Sequence, residues 1–279
     1  VRISIVINGD TRPGIFETDS IKGIQGNGTK SVDYLKEGVD NKLNFFRGYE
    51  IESHLYIDVH ENLGKDLLWD ISQRVDDLTL HKHVKHFEGL NYFPKHIDLN
   101  ILHAISAARG DYIVHFDWDM AAFRQDNSVV IDRWINWLEA NKYDYISYPS
   151  KASPHAVKDK DFTYDWASSR FFICKRNILD HSEIMRCLRD ANYLYDRYAP
   201  KGTTRKCGWL EHVQGMMAGP GRVFYPPMQI GDHMIFSWSN YFNGIFAHLN
   251  GLPYEEVKKY VQRCGKIMYP CDVHGRRPR

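Results

Sequence analysis

The chain has 279 residues, with 36 Lys and Arg against 35 Asp and Glu, a formal net charge of +1. So even a balance gives no overall field to hold nucleic acid or an anionic membrane nonspecifically, and no run of about 18 apolar residues is present to span a bilayer. The length suits one large α/β domain over residues 1–279, and two small domains are the less simple reading.

Ile3, Ile5, Val6 and Ile7 form an apolar run that reads as a buried strand ending at Asn8-Gly9-Asp10. Residues 11–30 carry four glycines and one proline with no apolar period, which marks a long ligand-binding loop. A helix is predicted from Ser31, its N-cap, to Arg47, with Val32, Leu35, Val39, Leu43 and Phe46 on one face. Strands follow at 54–59 and 78–80 with a helix at 67–75 between them, the alternation that builds a mostly parallel sheet. Asp98 to Arg109 reads as a helix with Gly110 as its C′ residue, and Asp111 to Phe116 as the strand that delivers Asp117-Trp118-Asp119.

Beyond that point the spacing predicts a helix at 128–141, a strand at 145–148, a polar stretch to 160 and a strand at 170–174. Helices are predicted at 182–198, 210–217 and 253–264. No internal repeat or low-complexity segment is found. The change near residue 120 divides roles within one domain: a nucleotide side over 1–120, an acceptor side over 121–250, and a C-terminal helix and tail over 251–279.

Two aspartates one residue apart at a strand end can turn oxygen ligands toward a hard cation such as Mg²⁺ or Mn²⁺, which shares them with diphosphate oxygens. A departing diphosphate develops negative charge that such a cation stabilises. The unit from Asn100 through Ala107-Ala108-Arg109-Gly110-Asp111-Tyr112-Ile113 to Asp117-Trp118-Asp119 resembles the segment leading to the metal site of GT-A glycosyltransferases of the family 2 kind. The resemblance covers roughly residues 1–125 in order of elements and extends more weakly to about 245. It implies the GT-A fold, a Rossmann-like mostly parallel α/β sheet flanked by helices with an acceptor-side second half. It also implies transfer of a sugar from a nucleotide diphosphate donor, UDP before GDP or dTDP, to a hydroxyl of a glycan or other acceptor.

Carried over residue by residue, Asn8, Asp10, Thr11 and Arg12 match the loop for base and ribose, and Asp58 the acidic residue that reads the base. Strand capping is the alternative for Thr11 and Asp58. Asp119 matches the main metal ligand, while Asp117 contacts the ribose or reaches the metal through water, with Trp118 between them. Glu211, in the first turn of a helix, resembles the carboxylate base of inverting members; His212 stands where a second acid is usual and is the alternative base. His233 resembles a late metal-ligating histidine, with Asp232 next to it. Asp165, Trp166 and Trp209 match an acceptor platform, aromatic rings stacking on sugar faces in a chain that is 14% aromatic.

Rival readings are a haloacid-dehalogenase-type phosphohydrolase, a sugar-nucleotide nucleotidyltransferase and a carbohydrate-binding protein without catalysis. Ala121 stands where the first expects Thr, and Thr11 to Gly14 offers the second only one Arg and one Gly. His81, His83 and His86 read as a solvated basic surface, and so does the tail from His274 to Arg279. The five cysteines, Cys174, Cys187, Cys207, Cys264 and Cys271, form no CxxC pair. With no signal-like start, they point to a reducing cytoplasm, where Asn27-Gly28-Thr29 would be a chance acceptor sequence.

Overall fold

Strand β1 (Arg2–Asp10) lies inside the sheet, with a neighbour on each side, and its run Ile3, Ile5, Val6, Ile7 is wholly buried because helices cover both faces. The computed structural model describes residues 1–10, 35–59, 63–82, 96–118, 120–147, 167–199, 210–225, 231–237 and 249–260. After β1 come α1 (Leu35–Phe45), β2 (Glu50–Val59), α2 (Lys65–Ser72), β3 (Asp77–Lys82), α3 (His96–Ala107), β4 (Tyr112–Asp117) and β5 (Met120–Arg124). The second half supplies α4 (Val130–Glu139), β6 (Tyr145–Ser147), β7 (Phe171–Lys175), α5 (His181–Arg189), α6 (Ala191–Tyr198), α7 (Leu210–Ala218), β8 (Val223–Phe224) and β9 (His233–Ser237). Residues 254–260 are helical, within the stretch where a C-terminal helix was expected.

The expected α/β class is what the chain adopts. Seven strands run in the order β3-β2-β1-β4-β7-β6-β8, and every neighbouring pair is parallel except those made by β7. One apolar layer joins α1, α4 and Ile71 of α2 to the sheet, and the opposite layer joins α3, α5, α6 and α7. β5 leaves the main sheet and pairs antiparallel with β9 in a separate ribbon.

Three local expectations change. The helix read over 182–198 is two helices, because Asp190 adopts extended backbone and its Oδ1 accepts from the backbone N–H groups of Asn192 and Tyr193, capping α6. Gly110 is not a left-handed helix cap: a Cβ there would come within 2.6 Å of the Ser4 nitrogen and 2.8 Å of the Arg2 carbonyl oxygen, so only glycine lets the α3–β4 corner lie against β1. β5 and β9 were not anticipated as strands.

Candidate active site

The register of the parallel strands gathers the predicted donor residues at one edge. Asn8 lies opposite both Tyr56 and Asp117, and Asp10 lies opposite Asp58. This is the carboxyl edge of β1, β2 and β4, where loops leaving a parallel sheet enclose ligands. Asn8 Oδ1 is buried and has no hydrogen-bond partner. Burying an amide oxygen unpaired is costly, and a ligand N–H or O–H at this edge would remove the cost. The side chains of Asp10 and Asp58 lie outside the described residues, as do Thr11, Arg12, Asp119, Asp165, Trp166 and Trp209 entirely.

Asp117 is half-buried as the last residue of β4, and Trp118 behind it is buried at 2% exposure. Two backbone bonds fix this turn: Trp118 N–H donates to the Asn8 carbonyl at 2.8 Å, and Asp117 N–H to the Arg170 carbonyl at 2.8 Å. The second bond ties the aspartate to the turn that enters β7. That turn is itself held by Ser147, whose Oγ accepts from Ser168 N–H at 2.7 Å.

The same turn holds Glu211. Ser169 donates to Glu211 Oε1 from its backbone nitrogen at 2.8 Å and from its hydroxyl at 2.6 Å. Thus the Asp117 backbone is bonded to Arg170, and the Glu211 carboxylate to the preceding residue, so two elements almost a hundred residues apart in sequence are tied to one turn. The sequence reading selected both but missed Ser169, the group that joins them. Ser168-Ser169-Arg170 before an apolar run was the available signal, since serine N–H and O–H together suit a carboxylate. His212 is only 4% exposed and belongs to the buried side of α7, whereas Glu211 is half-buried. Of the two base candidates, Glu211 is the one bonded to Ser169, next to the residue that accepts from Asp117 N–H.

His233 lies in the ribbon formed by β5 and β9. In the ribbon Met120 pairs with Ser237 and Arg124 with His233. The imidazole therefore belongs to the end of the ribbon four positions from Met120, about 14 Å at the usual strand rise. Its Nδ1 lies 3.1 Å from Asp232 Oδ1, and Asp232 Oδ2 accepts from Ser128 Oγ at 2.7 Å. Burial holds the His233 imidazole below its ordinary value against the pull of Asp232. Burial opposes ionisation of Asp232, but the bonds from Ser128 and His233 prevail and its carboxyl lies below the usual range. His233, Asp232 and Ser128 form a polar lock at the start of β9.

Among the described residues, no group of three or more His, Cys, Asp and Glu converges on a point that could hold a metal ion. The oxygen-only pair Asp117 and Asp119 suits a hard cation whose remaining positions are filled by diphosphate oxygens and water. On donor chemistry the residues fit Mg²⁺ or Mn²⁺.

Comparison with known proteins gives no matching family model and no matching curated protein. Solved structures do match. TarS from S. aureus is 10% identical with a TM-score of 0.44, over 84% of this chain and 36% of TarS, so this chain spans about a third of its length. The galactosyltransferase LgtC, in complex with donor and acceptor sugar analogues, is 10% identical with a TM-score of 0.43, over 81% of this chain and 74% of its own. Mouse xyloside xylosyltransferase 1, in its apo form, is 11% identical with a TM-score of 0.43, over 82% of this chain and 86% of its own.

Proposed function

We propose that this chain is a glycosyltransferase moving a sugar from a nucleotide diphosphate donor, a UDP-sugar in the favoured case, to an acceptor hydroxyl. What carries the reading is the corner in which Asp117 and Glu211 are bound to adjacent residues, Arg170 and Ser169. A carboxylate pair at a parallel-strand end suits a cation and diphosphate, and a second, separately anchored carboxylate suits the acceptor side. Asn8, Asp10 and Asp58 provide the edge for the nucleoside.

When bound, Mn²⁺ or Mg²⁺ supplies positive charge against the leaving diphosphate. Asp117 and Asp119 hold it, and Ser169 orients Glu211 through two hydrogen bonds to one oxygen. Glu211 takes the acceptor hydroxyl proton as that oxygen bonds to the anomeric carbon; the carbon–oxygen bond to the diphosphate breaks, and configuration inverts. Asp165, Trp166 and Trp209 are proposed to receive the acceptor.

The deciding experiment is incubation with nucleotide sugars and Mn²⁺, reading released nucleotide diphosphate, pyrophosphate and the first-formed product. Nucleotide diphosphate with an inverted glycoside is expected. Pyrophosphate release would instead identify a nucleotidyltransferase, and a product matching the donor configuration would remove Glu211 as base of a single displacement.

A further inference from the structure

α1 carries a lysine on its buried face. Lys42 is 0% exposed, and its Nζ donates to the carbonyl oxygens of Gly38 at 3.1 Å, Trp118 at 2.9 Å and Met120 at 2.6 Å. An ammonium has three donors and no acceptor, and burial is tolerated only when such groups are met. The placement of two of these acceptors is what matters: Trp118 and Met120 are the residues on either side of Asp119. The helix makes two further approaches to the same chain segment. Asn41 Oδ1 accepts from Ala122 N–H at 2.8 Å, and a Cβ added at Gly38 would lie 3.3 Å from the Trp118 carbonyl oxygen and 3.7 Å from Lys42 Nζ.

We infer that Lys42 is a positioning residue for the metal-side turn. By holding the Trp118 carbonyl, in the peptide that enters Asp119, and the Met120 carbonyl, in the peptide that leads on to Ala121, it fixes the backbone on both sides of the aspartate before any cation arrives. The turn is thereby ordered in advance, and the ordering entropy is not charged against ligand binding. Lysine suits the task because its donors radiate from one atom and can gather carbonyls from three directions, whereas the planar fork of arginine spreads its donors apart. Gly38 is part of the same device, since it leaves room for the Trp118 carbonyl to reach the ammonium. The inference rests on the cation-and-diphosphate reading of the Asp117 corner.

The test is calorimetric titration of Mn²⁺ in the presence of UDP on the full chain, with thermal melting and amide exchange at residues 118–122 as independent readouts. Lys42→Met is expected to weaken Mn²⁺ binding by about 10- to 100-fold, the scale of losing an outer-shell support, and to speed exchange in the turn. Asn41→Leu removes a neighbouring α1–β5 bond but not the clamp; it should lower the melting temperature and leave Mn²⁺ affinity at the wild-type value. Gly38→Ala gains helix propensity while pressing on the Trp118 carbonyl, so it should keep its melting temperature and lose Mn²⁺ affinity. It carries the test if Lys42→Met does not fold. Unchanged Mn²⁺ affinity in folded Lys42→Met or in Gly38→Ala, beside normal wild-type binding, overturns the inference alone. A wild-type chain with no Mn²⁺-coupled UDP binding overturns the functional reading and this inference together.

Discussion

The two ends of the α1–β5 seam use the same chemistry in opposite directions. At the Asp117 end a cation from the helix, Lys42, gathers carbonyls of the strand segment. At the other end a cation from the strand, Arg124, gathers carbonyls near the close of the helix, Nε to Phe45 and Nη2 to Arg47, both at 2.5 Å, with Nη1 on Ser128 at 3.3 Å. The ammonium is wholly buried and the guanidinium only half so. One end converges on a single ammonium between the Gly38, Trp118 and Met120 carbonyls; the other spreads over three carbonyls beside the lock of Ser128, Asp232 and His233. The contrast teaches that equal numbers of hydrogen bonds can serve different ends: the first gathers a turn at a strand end, which we propose receives a ligand, and the second ties a strand down.

The sharpest way to break that distinction is to remove an aspartate at each end. Asp119→Ala is expected to lower sugar transfer by about a thousandfold or more, through loss of charge stabilisation at the diphosphate, with little change in melting temperature. Asp232→Ala should do the reverse. Were Asp232→Ala to abolish Mn²⁺-dependent transfer, the two ends would not be functionally separate.

Next in size is Glu211→Gln, expected to reduce turnover by about 10²- to 10⁴-fold as a lost general base while donor binding is retained. Ser169→Ala should shift turnover the same way by less, because Glu211 keeps the backbone N–H of Ser169. Steady-state kinetics with separate donor and acceptor titrations would read both. Near-normal turnover in Glu211→Gln would return the proton to His212 or Asp165.

Arg124→Met sharpens the comparison from the other side. It should cost about 2 kcal/mol of stability by leaving part-buried carbonyls unpaired, seen as a lower denaturation midpoint, with Mn²⁺ affinity preserved. That is the opposite pattern to Gly38→Ala.

The smallest effect at neutral pH is acid sensitivity. His115 on β4, wholly buried and stacked on Phe172, is pushed down by burial to about 3. The folded chain keeps it neutral, while the unfolded chain takes up a proton near pH 6.5. The stability from excluding that proton is therefore full above about pH 6.5 and falls by up to about 1.4 kcal/mol per pH unit as pH drops toward 3. His115→Phe should flatten this acid limb in denaturation measured from pH 7 to 4. His233→Phe should flatten it less, because its Asp232 partner opposes the effect of burial.

What could be read in the sequence follows from how local each signal was. β1, α3 and β4 were legible because Ile3 to Ile7, Leu99 to Ala108 and Tyr112 to Phe116 carry their period within themselves. β5 was not: Met-Ala-Ala-Phe-Arg is short and weak in β propensity, and it becomes a strand by pairing with β9 far downstream. Asp117 and Glu211 were legible from strand-end and helix-start positions, but the Ser169 bridge between them is a tertiary fact. Lys42 did leave a trace. Leu35, Val39, Lys42 and Phe46 share helical spacing, so a lone cation interrupting an apolar stripe was readable as buried. The place of His233 was not legible, because a histidine late in the chain says nothing about which residue of β5 it will pair with.

The ribbon has a bearing on how the protein matures. β5 leaves the ribosome with its hydrogen-bonding partner more than a hundred residues still to be made, and closing so long a loop is a slow, late event in folding. Meanwhile the parallel pairs β1–β2 and β1–β4 need only the first 117 residues. A nascent chain halted before residue 233 is thus expected to hold most of a sheet yet leave the segment after Asp119 without its strand partner. Pulse-labelled amide exchange would show protection at β1 and β4 preceding protection at Met120 to Arg124.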